Sequence, residues 1–167
     1  MTGGYKMSDN TRPTVLLVDD EEMVLNSIKS FFAIEADYNL LTYTSPEKAL
    51  KDLEANHHQI DLVISDYLMP AMDGISFLAE VKKRFPLVPR ILLTGYADKE
   101  NAIKAINEVG LYQYIEKPWN NDDLRLIIKN ALEKTVLLRQ LQEKIQEIEK
   151  VHKELSHVQK EILRVFV

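Results

Sequence analysis

Two hydrophobic patterns alternate over most of the chain. Short, continuous apolar runs are typical of strands buried on both faces of a parallel sheet, and segments with an apolar side chain every three or four residues are typical of amphipathic helices. The predicted strands are residues 14–18, 38–43, 62–65, 90–93 and 112–115. The predicted helices cover residues 21–35, a segment opened by Ser45-Pro46-Glu47, residues 75–84 and 99–109, and a last segment from Asn121.

Five strands alternating with five helices predict an α/β fold with a doubly wound, five-stranded parallel sheet. In such folds the functional side chains gather at the carboxyl ends of the strands, near the point where the strand order reverses. Within two residues of the ends of four predicted strands lie Asp19, Asp20, Asp66, Thr94 and Lys117. The pattern therefore predicts a site of three acids, one hydroxyl and one ammonium group at one edge of the sheet.

The pattern changes in the last 44 residues, where Gly and Pro are absent and apolar residues follow a heptad-like spacing. The apolar positions are Ala131, Leu138, Leu141, Ile145, Ile148, Val151, Leu155, Val158, Ile162 and Val165. Two consecutive steps of three, across Ile148, form a stammer that would locally overwind a coiled coil. A helix unbroken from Asn121 would be about 70 Å long and would project from the domain. We expect this helix to form a homodimer with a second copy.

Composition narrows the class of protein. Of the 167 residues, 46% are hydrophobic and 28% charged, which is the composition of a folded globular chain. The absence of cysteine excludes a disulfide framework, a thiolate zinc site and a cysteine nucleophile. No apolar run approaches the roughly 18 residues of a membrane span, and residues 1–12 lack the apolar core of a signal peptide. We expect a cytoplasmic protein with a flexible lead-in over residues 1–12.

Charge is distributed unevenly. Residues 1–123 contain 12 basic and 20 acidic side chains, whereas residues 124–167 contain 9 basic and 6 acidic ones. An acidic body argues against direct binding of nucleic acid, which depends on Lys and Arg contacts to phosphate. The excess of acids suits a cation site instead. His57 and His58 fall in a polar loop before the third strand, where we expect them to be solvated.

The strand-end residues suit phosphoryl transfer assisted by Mg²⁺. Mg²⁺ prefers one or two carboxylates, several waters and often a phosphate oxygen, and Asp nucleophiles that form acyl phosphates are established chemistry. Lys117 could neutralise charge on the transferred group, and the Thr94 hydroxyl could donate a hydrogen bond to one of its oxygens.

The sequence resembles the receiver (CheY-like) domain of bacterial two-component response regulators over residues 13–135. The matching segments are Val18-Asp19-Asp20-Glu21, Asp66-Tyr67-Leu68-Met69-Pro70-Ala71-Met72-Asp73-Gly74, Leu93-Thr94-Gly95 and Tyr114-Ile115-Glu116-Lys117-Pro118. Their order, spacing and placement after strands 1, 3, 4 and 5 make the resemblance specific. It implies a phosphorelay module that accepts a phosphoryl group from a sensor histidine kinase or a small-molecule donor.

The resemblance implies a role for each matching residue. Asp66 is the implied phosphoryl acceptor, and Mg²⁺ is implied to bind Asp66, Asp20 directly, Asp19 through water, and the Leu68 backbone carbonyl. The implied switch pair is Thr94, whose hydroxyl moves toward the phosphoryl group, and Tyr114, whose ring turns inward. Lys117 is implied to pair with the phosphoryl oxygens, and its bond to Pro118 is commonly cis in the family.

Other interpretations remain open. Asp is a common helix cap, and Asp73 together with Asp122 or Asp123 is expected to cap helices. The alternative from another class is an Asp-nucleophile phosphatase, but such enzymes place nucleophile and acid two residues apart on the first strand, so we expect no enzyme in this chain beyond self-catalysed phosphorylation and dephosphorylation. A third possibility is a docking scaffold in which Asp66 is inert.

The helix of residues 136–167 also allows several interpretations: a solvated extension, a dimerising coiled coil, or a signalling helix leading toward a missing output domain. The Lys117-Pro118-Trp119 segment and the end, Gln159-Lys160-Glu161-Ile162-Leu163, are similar to receivers attached to cyclic-di-GMP phosphodiesterases of the HD-GYP type. The metal-binding His and Asp motifs of that output domain are not in this sequence, so no such activity is expected of this chain.

Overall fold

The computed structural model describes residues 12–35, 38–56 and 59–167. The strands are β1 (Thr14–Val18), β2 (Asn39–Tyr43), β3 (Leu62–Asp66), β4 (Arg90–Thr94) and β5 (Gln113–Glu116). The helices are α1 (Glu22–Glu35), α2 (Pro46–Asn56), α3 (Gly74–Arg84), α4 (Lys99–Val109) and α5 (Asn121–Val165), with a 3₁₀ turn over Tyr96–Asp98 before α4. The lead-in expected over residues 1–12 lies outside the described residues except for Arg12, and so do His57 and His58.

The five strands form one parallel sheet in the order β2-β1-β3-β4-β5. The predicted doubly wound α/β fold is therefore confirmed, and each element end that the sequence specified lies within one residue of the observed one. The chain moves outward from β1 to β2 and then crosses to β3, so the order reverses between β1 and β3. This reversal opens the crevice at the carboxyl ends of the strands where α/β folds place their sites.

Alternate side chains of the strands enter two separate cores. Val15 and Leu17 of β1 face the core that also contains apolar side chains of α1 and α5. Leu16 and Val18 face the opposite core, which is completed by α2, α3 and α4. Because both faces of the sheet are covered, the central strands read as continuous apolar runs, which is the pattern that identified them.

Three helix ends show how local chemistry fixes the elements. Asp73 caps α3 as expected, its carboxylate accepting the Ser76 N–H at 2.7 Å. Gly110 ends α4 in the left-handed conformation, with φ of 69°. The expectation that Asp122 or Asp123 caps the last helix is wrong. The cap is Asn120, whose side-chain oxygen accepts the N–H groups of both acids, and the acids instead place negative charge on the first turn.

The last helix, α5, has 45 residues and so a length of about 68 Å. Its first turns are built into the domain, where Leu124, Ile128 and Ala131 are buried. From Gln140 onward every residue is exposed except Ser156, which is half-buried. The helix therefore projects as predicted. Among the described residues, no helix combines the length and the apolar character needed to cross a membrane.

Candidate functional site

The sheet order brings the predicted site residues to one edge. Asp19 follows β1 directly. Asp66 is the last residue of the neighbouring strand β3, which is one residue longer than predicted and so includes it. Thr94 is likewise the last residue of β4, and Lys117 follows β5. Asp19 is fully buried and Asp66 is 6% exposed, whereas Asp20 is exposed. The backbone register, and not any sequence proximity, makes these residues neighbours.

Lys117 joins the two buried acids. Its Nζ lies 3.0 Å from Asp19 Oδ2 and 2.8 Å from Asp66 Oδ1. Asp19 also accepts the Glu21 N–H through Oδ1 at 2.8 Å, which ties the carboxylate to the start of α1. One ammonium group thus serves two carboxylates, and the site keeps an excess of negative charge.

The electrostatics follow from burial and shared charge. Burial raises the pKa of Asp66 above its ordinary value; the bond from Lys117 lowers it in part, and the charge of Asp19 raises it further. Burial likewise raises the pKa of Asp19, against the opposing bonds from Glu21 and Lys117. Burial alone would lower the pKa of Lys117, but its bonds to Asp66 and Asp19 outweigh that effect and raise it. At neutral pH the lysine is therefore held as a cation between the two acids.

The donor set fits a hard divalent cation. One carboxylate oxygen from each of Asp19, Asp20 and Asp66 can be chosen so that all three lie within 4.8 Å of one another. Oxygen ligands in this arrangement are those that Mg²⁺ accepts, with waters completing the octahedron. The pKa of both buried acids stays above the ordinary value because burial outweighs the bonds from Lys117. A second cation would do so.

Thr94 carries a buried hydroxyl without a partner. The residue is fully buried, and its Oγ1 has no hydrogen-bond partner among the described residues. An unpaired buried hydroxyl is costly, and this one stands at the end of β4, the strand that pairs with β3. Tyr114 is half-buried and packs against the core formed with α2, α3 and α4.

The loop after Asp66 is held tightly against this residue. The Gly74 N–H donates to the Tyr67 carbonyl at 2.7 Å, which closes the loop. A Cβ on Gly74 would overlap the backbone carbonyl of Asp66, so only glycine fits there. Within the loop, Ala71 has a positive φ of 66°, and the Met72 N–H donates to the Pro70 carbonyl. A positive φ at a residue other than glycine is strained and is characteristic of functional loops.

The segment after β5 carries one further expectation. The Lys117–Pro118 peptide bond is cis, as the resemblance implies. The next residue, Trp119, packs against the core that contains side chains of α1 and α5. Leu68, whose backbone carbonyl is an implied metal ligand, has a side chain 61% exposed.

Some residues around the site were missed by reasoning from the sequence. Ser65 is fully buried one position before the acceptor, and its hydroxyl donates to the Asp66 carbonyl at 2.9 Å. Lys99 at the start of α4 pairs with Glu116 at the end of β5, Nζ to Oε1 at 2.8 Å. A serine inside an otherwise apolar strand was a signal that could have identified Ser65. The Lys99 pair joins residues from different elements and left no local pattern.

Comparison with known proteins supports this geometry. The family model described as "Response regulator receiver domain" matches residues 15–129. A putative response regulator, NtrX-like, from Rickettsia bellii is 40% identical over 128 residues, which are 75% of this chain and 26% of the relative. The regulatory protein AtoC of Escherichia coli is 36% identical over 142 residues, 85% of this chain and 28% of the relative. The chain thus spans about a quarter of the length of these curated relatives.

Solved structures of receiver domains have the same fold as this chain. The signal receiver domain of an HD domain-containing protein from Pseudomonas fluorescens Pf-5 has a TM-score of 0.69 and 38% sequence identity to this chain. The match covers 75% of this chain and 98% of that structure. The part of this chain beyond such matches falls largely in the projecting portion of α5.

Proposed function

Because the chain belongs to the response regulator receiver domain family of two-component systems, we propose that Asp66 is its phosphoryl acceptor. The observation that carries this proposal is the position of the Asp66 carboxylate, 2.8 Å from Lys117 Nζ within a cluster of three acids. Asp66 is the acid with both a cation and a strained, closely packed loop beside it. Asp19 is instead tied to the Glu21 N–H, and Asp20 is exposed.

The reaction is an in-line displacement at phosphorus. An oxygen of Asp66 forms a bond to phosphorus while the bond from phosphorus to the donor breaks, and the donor leaves as neutral imidazole from a phosphohistidine or as acetate from acetyl phosphate. Mg²⁺, held by Asp19, Asp20, Asp66 and the Leu68 carbonyl, would supply neutralisation of charge on the phosphoryl oxygens. Lys117 would bind one of those oxygens after moving away from the Asp66 carboxylate.

Thr94 and Tyr114 are proposed as the switch. The unpaired Thr94 hydroxyl would gain a partner by donating to a phosphoryl oxygen. Phosphorylation would therefore stabilise the conformation in which this hydroxyl has moved toward Asp66. Movement of Thr94 would vacate space beside β5, into which the half-buried Tyr114 ring can turn. The partner implied by this chemistry is a sensor histidine kinase. The proposed activity of the chain is limited to accepting and losing its own phosphoryl group.

The acceptor is tested by intact mass spectrometry. Wild type incubated with Mg²⁺ and acetyl phosphate should gain the mass of one phosphoryl group, and Asp66→Asn should gain none. Asp122→Asn is the matched control, because it removes a carboxylate that is 86% exposed on the first turn of α5, and it should be phosphorylated like wild type. An adduct on Asp66→Asn would place the acceptor elsewhere. Repeated turnover of a phosphate ester would favour the phosphatase, and absence of any adduct would favour the docking scaffold.

We further propose that α5 forms a two-stranded coiled coil with a second copy of the chain. The seam side chains from Leu141 onward are about half exposed or more, for example Leu141 at 56%, Leu155 at 64% and Ile162 at 52%. A continuous apolar stripe on a projecting helix is stable in water only if a partner covers it. The receiver from Pseudomonas fluorescens comes from a protein described as HD domain-containing, which favours an output of that broader class. The NtrX-like and AtoC relatives are equally similar, so the receiver sequence does not choose between outputs.

Light scattering on the full chain tests the coiled coil. Leu155→Glu puts a charge in the seam and should convert a dimer into a monomer. Lys153→Glu changes a residue two positions away, off the seam, and should leave the dimer intact. A dimer of unchanged mass in Leu155→Glu would contradict the seam, and a monomeric wild type would contradict the coiled coil itself.

A further inference from the structure

A second cluster of charged and polar side chains lies at the amino end of the sheet, opposite the site. Asp61, the residue before β3, is only 5% exposed. Its Oδ2 accepts the Thr14 N–H at 2.7 Å, and its own N–H donates to the Thr14 carbonyl at 2.8 Å. Asp61 therefore joins the first residue of β1 to the start of β3 through both backbone and side chain.

The helix α5 reaches the same residue from the other side. Arg139 Nη2 forms an ion pair with Asp61 Oδ1. One turn earlier, the buried Thr135 hydroxyl donates to the Asp61 carbonyl at 2.8 Å. The Gln59 amide oxygen, in the orientation that satisfies its hydrogen bonding, lies 3.0 Å from both Nη atoms of Arg139. The guanidinium is thus held between two acceptors on the segment that leads into β3.

These contacts lie where α5 leaves the domain. Thr135 is buried and Arg139 is half-buried, whereas the residues from Gln140 onward are exposed apart from Ser156. A carboxylate that is almost fully buried needs a compensating charge, since breaking such a pair leaves an uncompensated ion in a poorly solvated place. Charge-assisted bonds also restrict direction, because the planar guanidinium has a fixed donor geometry. The position of Arg139 is therefore defined at the point where the helix leaves the domain.

We propose that Asp61 and Arg139 form a clamp that sets the exit direction of α5 and couples it to the central strands. The opposite ends of the two strands joined by Asp61 carry Asp19 and Asp66, about 17 Å away along β3. A shift of these strands at the carboxyl end would move Asp61, and the clamp would transmit this movement to α5. The claim about direction stands by itself, and the claim about coupling rests on the proposed function.

The direction is tested by spin-label distances. The chain contains no cysteine, so Lys51→Cys on α2 and Lys150→Cys on α5 give two unique labels at exposed positions. Labelled chain is mixed with an excess of unlabelled chain so that only distances within one chain are measured. We expect a narrow distribution in the otherwise wild-type protein and a broad one in Arg139→Gln. Lys144→Gln, which removes an exposed cation one helical turn further along, should leave the distribution narrow. A narrow, unchanged distribution in Arg139→Gln would overturn the clamp.

A second variant guards against a general loss of folding. Asp61→Asn keeps an acceptor for the Thr14 N–H but removes the charge that Arg139 binds. Amides of residues 136–141 should exchange about tenfold faster in this variant, the effect of losing one charge-assisted bond, while amides of β1 and β3 keep their protection. The double variant should exchange no faster than the single ones if the two residues act as one unit. Additive effects would show that they act separately and would overturn the pair.

Coupling is tested on the same labelled proteins. Beryllofluoride with Mg²⁺ should shift the distance distribution in wild type and leave it unshifted in Arg139→Gln, although both proteins should gain one phosphoryl group from acetyl phosphate. No shift in wild type that carries the adduct would overturn the coupling. A protein that gains no adduct would contradict the proposed function instead, and the comparison of exit directions without ligand would still decide on the clamp.

Discussion

The two ends of the sheet use charge in opposite ways. At the carboxyl end, Asp19 and Asp66 share Lys117 within a cluster of three carboxylates, the pKa values of both acids are raised, and the Thr94 hydroxyl has no partner among the described residues. At the amino end, Asp61 is matched by Arg139. There Arg90 donates to the carbonyls of Val88 at 2.7 Å and Gly110 at 2.9 Å, while its buried Nε has no partner among the described residues. The comparison teaches that Asp61 has its own counter-charge at one end of the sheet, whereas Asp19 and Asp66 share a single cation at the other end, where a ligand cation could bind.

The largest effect is expected at the amino end, from Arg90→Met. The guanidinium joins the loop after α3 to the end of α4, and the methionine would remove its bonds to the Pro86, Val88 and Gly110 carbonyls. We expect the free energy of unfolding to fall by about 3 kcal/mol, measured by urea denaturation. Phosphorylation by acetyl phosphate should persist below the unfolding transition. A stability equal to wild type would show that this end is not held by matched charge.

A somewhat smaller loss is expected at the carboxyl end from Gly74→Ala. The new Cβ would overlap the Asp66 carbonyl and push the loop away from the acceptor, at a cost of about 2 kcal/mol. Phosphorylation should slow at the same time, because the acceptor itself is displaced. Gly95→Ala is the matched control, since its Cβ would meet only Asp98 Oδ2 at 3.5 Å. Equal behaviour of the two variants would contradict the close approach at Gly74.

Unlike the two variants above, Asp66→Asn should increase the free energy of unfolding, although it abolishes phosphorylation. Because folding raises the pKa of Asp66, its contribution to stability is present below the ordinary Asp pKa and is lost as pH rises through the folded value. The variant lacks this loss, so without Mg²⁺ its thermal midpoint at neutral pH should exceed that of wild type by a few degrees. The difference should vanish at acid pH. A less stable variant at neutral pH would show that Lys117 fully compensates the acid.

The smallest effect belongs to an exposed pair near the end of α3. Lys83 Nζ lies 2.5 Å from Glu80 Oε1, but the two side chains are 71% and 36% exposed. Water screens such pairs, so Lys83→Ala should change the free energy of unfolding by less than about 0.5 kcal/mol. A loss as large as that of Arg90→Met would show that distance, and not burial, decides the contribution of charge in this protein.

The sequence allowed most of the fold and the carboxyl end to be predicted, because both follow from local patterns. Apolar runs locate the strands, and parallel strands bring their ends together, so Asp19, Asp66 and Lys117 could be placed side by side without coordinates. The amino end could not be predicted in this way. Asp61 and Arg139 are 78 positions apart, and a single charge before a strand or within a helix resembles any solvated side chain.

The helix caps show the same limit on a smaller scale. Asn120, Asp122 and Asp123 are all suitable capping residues, and the choice between them depends on which one has an extended backbone. Only the structure shows that Asn120 does, with ψ of 134°. A strand or helix is predicted from the pattern of many residues, so one ambiguous position does not change the prediction. A cap depends on a single residue, so the same ambiguity decides it.

Because α5 extends far beyond Arg139, a small change in its direction displaces its far end by several ångströms. The helix continues to Val165, which is about 39 Å past Arg139. A tilt of about 5° at the root would move the far end by roughly 3 Å over that length, more than half the rise of one helical turn. A small rearrangement inside the domain would thereby become a larger displacement at the far end of the helix.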